Sequence, residues 1–188
     1  TVEEYRMMFK RAGLKLKLAI PEECAYMNLV RSAAQLAGGD CCFADIGQHA
    51  TGLHLFHAGE YSTKRSIEIG LRQLDAIIAD RHQVDIHMAH TYKENNYNHV
   101  LTEGDALAFY NNLAVEMTKA LNFFNYNNRD AELKDIYLCG GGAEIEPLVN
   151  IIRDTTHMEV HPAQELMPKK NDMRANLFLQ GYGLAIGE

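Results

Sequence analysis

Two segments of this chain combine a strand end, glycine and polar groups in the way that a phosphate-binding site requires. In the first, Asp45 and Gly47 are followed by the hydroxyl of Thr51. In the second, a glycine run, Gly140–Gly142, lies between an apolar segment and Glu144. A carboxylate binds Mg²⁺ or its waters, and glycine lets an anion approach bare backbone amides. We therefore expect the two segments to face a common crevice that holds a nucleotide phosphate.

Each segment also has a structural explanation. Asp45 can cap a turn in which Gly47 supplies a positive φ, and a single Asp-x-Gly is a frequent pattern. The glycine run is more specific, because one glycine is enough for a strand-to-helix turn and each further one costs about 1 kcal/mol. The run lacks the Gly-Lys-Ser/Thr of a P-loop and the spacing of a dinucleotide fingerprint. Close backbone approach to a ligand is our interpretation of the run.

Composition places the chain among ordinary globular proteins. Its 188 residues are 47% hydrophobic and 23% charged, which is enough to bury a core. The formal charge is −7 and no basic run is present, so nucleic acid is not expected as a partner. No apolar run approaches the roughly 18 residues of a membrane span, and we expect a cytoplasmic protein. Because the chain starts at Thr1 with a helical pattern, we expect it to be a piece of something longer.

The cysteines and histidines do not predict a metal site. Cys41 and Cys42 are adjacent and point to opposite faces of a strand, so we expect buried apolar residues in a reducing compartment. The histidines lack a cysteine or carboxylate at ligand spacing, and we expect polar surface residues. The histidines considered as possible metal ligands are His49, His54, His57, His82, His87 and His90.

Hydrophobic periodicity predicts a mixed α/β fold, with strands first, helices next and β-α units at the end. The predicted strands cover 14–20, 41–46, 52–57, 60–67, 134–139 and 158–160. The predicted helices cover 3–12, 22–36, a segment from Leu71, 84–94, 103–125, 145–155 and 176–186, with a polar loop at 95–100.

The ordered motifs resemble those of the actin-like ATPases, in particular the type IV pilus assembly protein PilM and the cell-division protein FtsA. The similarity spans nearly the whole chain and corresponds to the C-terminal half of those proteins. It is carried by Asp45-Ile46-Gly47 with Thr51, Gly59, Arg65-Ser66-Ile67, Gly70, Ala89, Lys93, Leu138 to Glu144, and Gly181-Tyr182-Gly183-Leu184-Ala185.

This resemblance implies an RNase-H-like half of an actin-type ATPase, with a mixed sheet flanked by helices. ATP and Mg²⁺ would lie between this half and a preceding one. By analogy, Asp45 is the catalytic residue and holds Mg²⁺ through water, and the phosphate loop carries Gly47 and Thr51. The adenosine loop would comprise Gly140, Gly141, Gly142 and Glu144, while Lys93 would lie near the ribose and adenine.

The resemblance also implies a domain organisation. Residues 1–38 would end the preceding half and connect it to this one. Residues 39–70 and 131–188 would form the nucleotide-binding subdomain, and 71–130 a small, mainly helical inserted subdomain. The first phosphate loop belongs to the preceding half, so this chain would be at most part of a slow ATPase.

Our first functional hypothesis is a nucleotide-binding scaffold of pilus assembly or cell division whose ATP state controls partner binding. The expected partner is the cytoplasmic tail of a membrane assembly protein, at the inner face of the bacterial membrane, with homo-oligomers also considered. The alternative is an adaptor of the same fold without nucleotide, favoured by two departures from the family pattern, His90 and Leu71. Half of a sugar or acetate kinase ranks last, because no base for a substrate hydroxyl is evident.

Overall fold

A five-stranded mixed sheet forms the centre of the molecule. The computed structural model describes residues 1–168 and 175–187, and the strand order is β3-β2-β1-β4-β5. The first three strands form an antiparallel meander, while β4 is parallel to β1 and β5 is parallel to β4. The strands are β1 (Cys41–Ile46), β2 (Thr51–His57), β3 (Glu60–Ile67), β4 (Asp135–Cys139) and β5 (Glu159–Pro162).

Helices cover both faces of this sheet. The α-helices are α1 (Val2–Arg11), α2 (Glu23–Ser32), α3 (Leu71–His82), α4 (Ile86–Glu94), α5 (Gly104–Asn127), α6 (Glu146–Thr156) and α7 (Leu179–Ala185). Short 3₁₀ turns cover Ala34–Leu36, Tyr97–Thr102, Gly141–Glu144, Ala163–Leu166 and Ala175–Phe178.

Strand alternation divides the core into two layers. Cys42, Ala44 and Ile46 of β1 pack with the buried faces of α3, α5 and α6. Cys41 and Phe43 point to the other side, where α2 and α7 cover them. This follows from the two-residue period of a strand, which sends successive side chains to opposite faces. The expectation that Cys41 and Cys42 are buried is confirmed.

The long helix α5 follows its predicted pattern. Its buried positions include Tyr110, Leu113, Met117 and Leu121, which lie on one face at helical spacing. The helix packs against α6 and closes the larger of the two core layers. Among the described residues, no helix is both long and apolar enough to span a bilayer.

The predicted strand at 14–20 is wrong. This segment has no regular secondary structure, and Leu14, Leu18 and Ile20 are exposed. Its alternation of apolar and lysine residues is typical of a strand, but a strand forms only where a neighbouring edge can accept its backbone hydrogen bonds. The predicted last helix is also divided, into the 3₁₀ turn Ala175–Phe178 and α7.

The segment predicted as a polar loop at 95–100 partly forms a 3₁₀ turn, Tyr97–Thr102, interrupted by residues in the left-handed region. Asn98 and His99 have φ values of 50° and 60°. The division of the chain into a nucleotide-binding subdomain and a helical insertion stays a prediction.

Candidate functional site

The two glycine turns lie side by side at the carboxyl ends of the central strands β1 and β4, which we call the site edge of the sheet. In the parallel pair of β1 and β4, Asp45 is opposite Cys139, so the turns after both strands leave the same edge. Gly140 has a φ of +76°, and a Cβ added there would overlap the carboxylate of Asp45 and lie 2.7 Å from the carbonyl oxygen of Ile46. Glycine is therefore required at this position both by conformation and by space.

Side chains of the protein pack between the two turns, and the nucleotide crevice expected from the sequence stays a prediction. A Cβ at Gly142 would lie 2.5 Å from Cβ of Ile46, whose side chain is fully buried. On the outer side, a Cβ at Gly141 would lie 3.0 Å from Cδ1 of Leu71. The glycine run thus accommodates the protein's own side chains, and a ligand would have to bind on the outer surface of the two turns.

Asp45 is partly buried at the end of β1, and two side chains bind its Oδ2 atom. Gln180 Nε2 donates to this oxygen at 2.8 Å, and the hydroxyl of Tyr26 donates at 3.2 Å. Burial raises the pKa of Asp45 above its ordinary value, while the Tyr26 hydrogen bond acts in the opposite direction. The carboxylate is thus held in a fixed orientation beside the Gly140 turn.

Tyr26 links this carboxylate to a buried histidine. Its ring stacks on His54 with 4.1 Å between centroids, and its hydroxyl lies 3.8 Å from the Sγ of Cys139. His54 is only 1% exposed, so the prediction that it is a surface residue is wrong. Burial lowers the pKa of His54 to about 4, which keeps the imidazole neutral at physiological pH.

The turn after β1 is hydrogen-bonded to the start of α3. The amide of Leu71 donates to the carbonyl of Gly47 at 3.0 Å, and the amide of Arg72 donates to the carbonyl of Gln48 at 2.8 Å. Within the turn, the amide of Gly47 donates to Ala50. The amides of Gln48 and His49 make no hydrogen bond to the described part of the chain. These two amides are donors that an anion can use.

Two predicted site residues are engaged inside the protein instead of facing solvent. Thr51 is fully buried, and its hydroxyl donates to the carbonyl of Ile69 at 2.8 Å. Lys93 is 4% exposed, and its Nζ lies 2.7 Å from Oδ1 of Asp75. Their side chains therefore contribute to the turn and to the helices behind it.

Glu144 lies on the exposed side of the glycine run. Its Oε1 accepts a hydrogen bond of 3.0 Å from Nδ2 of Asn176, and the carbonyl of Asn176 accepts one from the Gly140 amide. The structure thus brings Asp45, Gly47, Glu144 and the glycine run together at one edge. It separates them from the side chain of Lys93, which lies in the interface between α3 and α4.

Sequence reasoning missed Asp75, Gln48, Tyr26 and Gln180. Asp75 had a usable signal, because it lies among the apolar positions of α3 that face the core, including Leu74 and Ile78. A carboxylate on a buried helix face predicts a buried partner. Gln180 had no such signal, since its contact with Asp45 joins residues far apart in the chain.

The chemistry of this edge suits an anion carrying a divalent cation. Asp45 supplies one carboxylate, the turn supplies unbonded amides, and Glu144 adds a second, more distant acid. Across residues 1–168 and 175–187, no three His, Cys, Asp or Glu side chains converge as a metal site would require. Among the described residues, Asp45 is the carboxylate at this site that could hold a hydrated cation.

Three of the solved structures with a similar fold illustrate the match. The structure described as the PilM-PilN type IV pilus biogenesis complex matches with a TM-score of 0.73 and 21% identity, over 94% of this chain and 55% of that one. The ethanolamine utilization protein EutJ from Carboxydothermus hydrogenoformans matches with a TM-score of 0.70 and 19% identity, over 94% of this chain and 57% of that one. MreB5 of Spiroplasma citri bound to AMPPNP matches with a TM-score of 0.64 and 18% identity, over 100% of this chain and 63% of that one.

These similarities show the fold, and this chain spans between 55% and 63% of the length of the three structures. A search of curated proteins found no match. The sheet with its flanking helices is the actin-like ATPase fold, which confirms the predicted fold class. The model of the family described as type IV pilus assembly protein PilM matches residues 1–186, and the chain therefore belongs to that family.

Proposed function

We propose that this chain is the nucleotide-binding half of a scaffold protein of type IV pilus assembly, and that the nucleotide state of the whole protein controls its affinity for a membrane partner. The observation that carries this proposal is the position of Asp45 at the end of β1, directly beside the Gly140 turn. Membership of the PilM family supports the pilus role. The matched PilM-PilN complex supports a protein partner, proposed to be the cytoplasmic tail of a membrane assembly protein at the inner face of the membrane.

Each residue of the edge has a proposed role. Asp45 holds hydrated Mg²⁺, and its two hydrogen-bond donors fix the orientation of the carboxylate. The amides of Gln48 and His49 donate to phosphate oxygens. The outer surface of the glycine run and Glu144 contact the nucleoside. Bound Mg-ATP supplies a charged bridge between this half and the preceding one.

Calorimetric titration of the full-length protein with Mg-ATP tests this proposal. We expect wild type to bind and Asp45→Asn to bind at least tenfold more weakly, since a hydrogen bond or ionic contact to a charged group is worth about 1.5–3 kcal/mol. Asp130→Asn is the matched control, because Asp130 is an exposed carboxylate at the opposite edge of the sheet, near His57. Absence of binding in wild type, or equal affinity of the Asp45 variant, would contradict the proposal.

One observation favours a second function, an adaptor of the same fold without nucleotide. Leu71 packs against Gly141, and Ile46 fills the space beside Gly142, so side chains occupy room that a ligand could have used. Capture of the partner's cytoplasmic tail, measured with and without Mg-ATP, separates the two functions. Capture that is indifferent to nucleotide supports the adaptor, whereas a nucleotide-dependent affinity supports the scaffold.

A further inference from the structure

A buried ion pair lies behind the turn that follows Asp45. Asp75 on α3 is 1% exposed, Lys93 on α4 is 4% exposed, and Nζ of Lys93 lies 2.7 Å from Oδ1 of Asp75. In the described part of the chain, they are the only Asp, Glu, Lys or Arg residues classed as buried. Burying two charges gains little stability relative to apolar residues of the same size. Hydrophobic packing therefore does not explain why this pair is present.

The same carboxylate also reaches the turn at the sheet edge. Nε2 of Gln48 donates to Oδ2 of Asp75 at 2.8 Å, and Nδ1 of the half-exposed His90 lies 3.4 Å from the same oxygen. Asp75 therefore joins the turn after β1, its own helix α3, and two residues of α4. Gln48 is also one of the two turn residues whose amides make no hydrogen bond to the described part of the chain.

We infer that Asp75 is a positioning residue, which fixes the Gln48 turn relative to α4, and that Lys93 acts through Asp75 instead of contacting a ligand. The inference that this geometry serves nucleotide binding rests on the proposed function above. The position of the Lys93 ammonium supports its indirect role. The side chain is only 4% exposed, and the carboxylate of Asp75 at 2.7 Å already neutralises its charge inside the protein. An ion pair between Lys93 and Asp75 and a hydrogen bond from Gln48 to Asp75 then connect α4 to the turn.

Amide hydrogen exchange in the full-length protein without nucleotide tests the positioning role. Gln48→Ala removes the link to the turn and leaves the ion pair in place. We expect it to raise exchange roughly tenfold at the hydrogen-bonded amides of the turn, those of Gly47, Leu71 and Arg72. Roughly tenfold is the value for losing one hydrogen bond to a charged group. Exchange in Ile86–Glu94 should stay unchanged. Lys93→Met should raise exchange in both segments.

Lys119→Met is the matched control, because Lys119 forms a lysine–carboxylate pair of 2.6 Å with Glu116 that is exposed to solvent. We expect no change in either segment for this variant. Unchanged exchange of the turn in Gln48→Ala overturns the inference, as does an effect of Lys93→Met confined to α4. Gln48 is exposed, so its variant decides the question even if Lys93→Met fails to fold.

Mg-ATP titration of the same variants tests how Lys93 acts. If Lys93 works through Asp75 and Gln48, adding Lys93→Met to Gln48→Ala weakens affinity by less than twofold beyond the single variant. If the affinity loss of the double variant instead equals the product of the losses of the two single variants, Lys93 contacts the ligand itself and the inference is overturned. If wild type binds no nucleotide, the proposed function fails, and the exchange experiment still decides whether Asp75 positions the turn.

Discussion

Nζ of Lys93 lies 2.7 Å from Oδ1 of Asp75 in a region from which water is almost completely excluded. Each residue on its own is a poor choice for the buried face of a helix, because an unpaired buried charge is strongly destabilising. Together they neutralise each other and fix how α3 and α4 pack. Asp75 also accepts from Gln48, so the packing of the two helices is connected to the turn beside Asp45.

Removing one partner of this pair should destabilise the protein more than removing both. We expect Lys93→Met to lower the free energy of unfolding by about 3–5 kcal/mol, since Asp75 is left as an uncompensated buried charge. The double variant Asp75→Leu/Lys93→Met should recover at least half of that loss. Urea unfolding measures both values. A double variant as unstable as the sum of the two single variants would show that the residues are not coupled.

Acid should destabilise the protein through His54. Burial lowers the pKa of His54 from 6.5 to about 4, so the folded state keeps this imidazole neutral while the unfolded chain takes up a proton. Its contribution is fully present above pH 6.5 and is lost as the pH falls towards 4, by on the order of 3 kcal/mol. Chemical unfolding of wild type and His54→Gln from pH 7.5 to 4 measures this. Identical pH slopes for the two proteins would contradict the assignment.

A methyl group at Gly142 should strain the site. Its Cβ would overlap the side chain of Ile46, and we expect Gly142→Ala to lower stability by about 1–3 kcal/mol, as for overpacking. Gly104→Ala is the control, because nothing lies within 4 Å of a Cβ added at the start of α5. Thermal unfolding should show a lower Tm than wild type for Gly142→Ala and no lower Tm for Gly104→Ala. A Gly142→Ala protein with the Tm of wild type would contradict the prediction, because Ile46 would then have moved without cost.

The hydroxyl of Tyr26 should control the ionisation of Asp45. Because this hydrogen bond favours the carboxylate, Tyr26→Phe should raise the pKa of Asp45 further than burial already does. A folded-state pKa above the ordinary value means that Asp45 contributes stability at low pH, which is lost as the pH rises through the shifted range. Titration of the Asp45 carboxyl carbon by NMR checks the shift. Tyr61→Phe, on the same side of the sheet, should leave it unchanged.

Local patterns predicted most of the elements well. The boundaries of β1 and β3 agree with 41–46 and 60–67, since each β-rich run is bounded by glycine-containing turns. Prediction failed at 14–20, where alternation is present but no strand of the described residues pairs with the segment. A pattern within one segment reports which face can be buried, and carries no information about whether a neighbour is there to cover it.

At the candidate site, too, local sequence patterns predicted some features and tertiary packing decided the others. The sequence by itself determined the family, the order of the strands along the chain, and the two glycine turns that follow strands, because these depend on residue types at short spacing. Only the tertiary structure decided that Ile46 fills the space beside Gly142, that Gln180 and Tyr26 hold Asp45, and that Lys93 pairs with Asp75. Such contacts join residues that are distant in sequence, and their partners are selected by the packing of whole helices against the sheet, which no local spacing encodes.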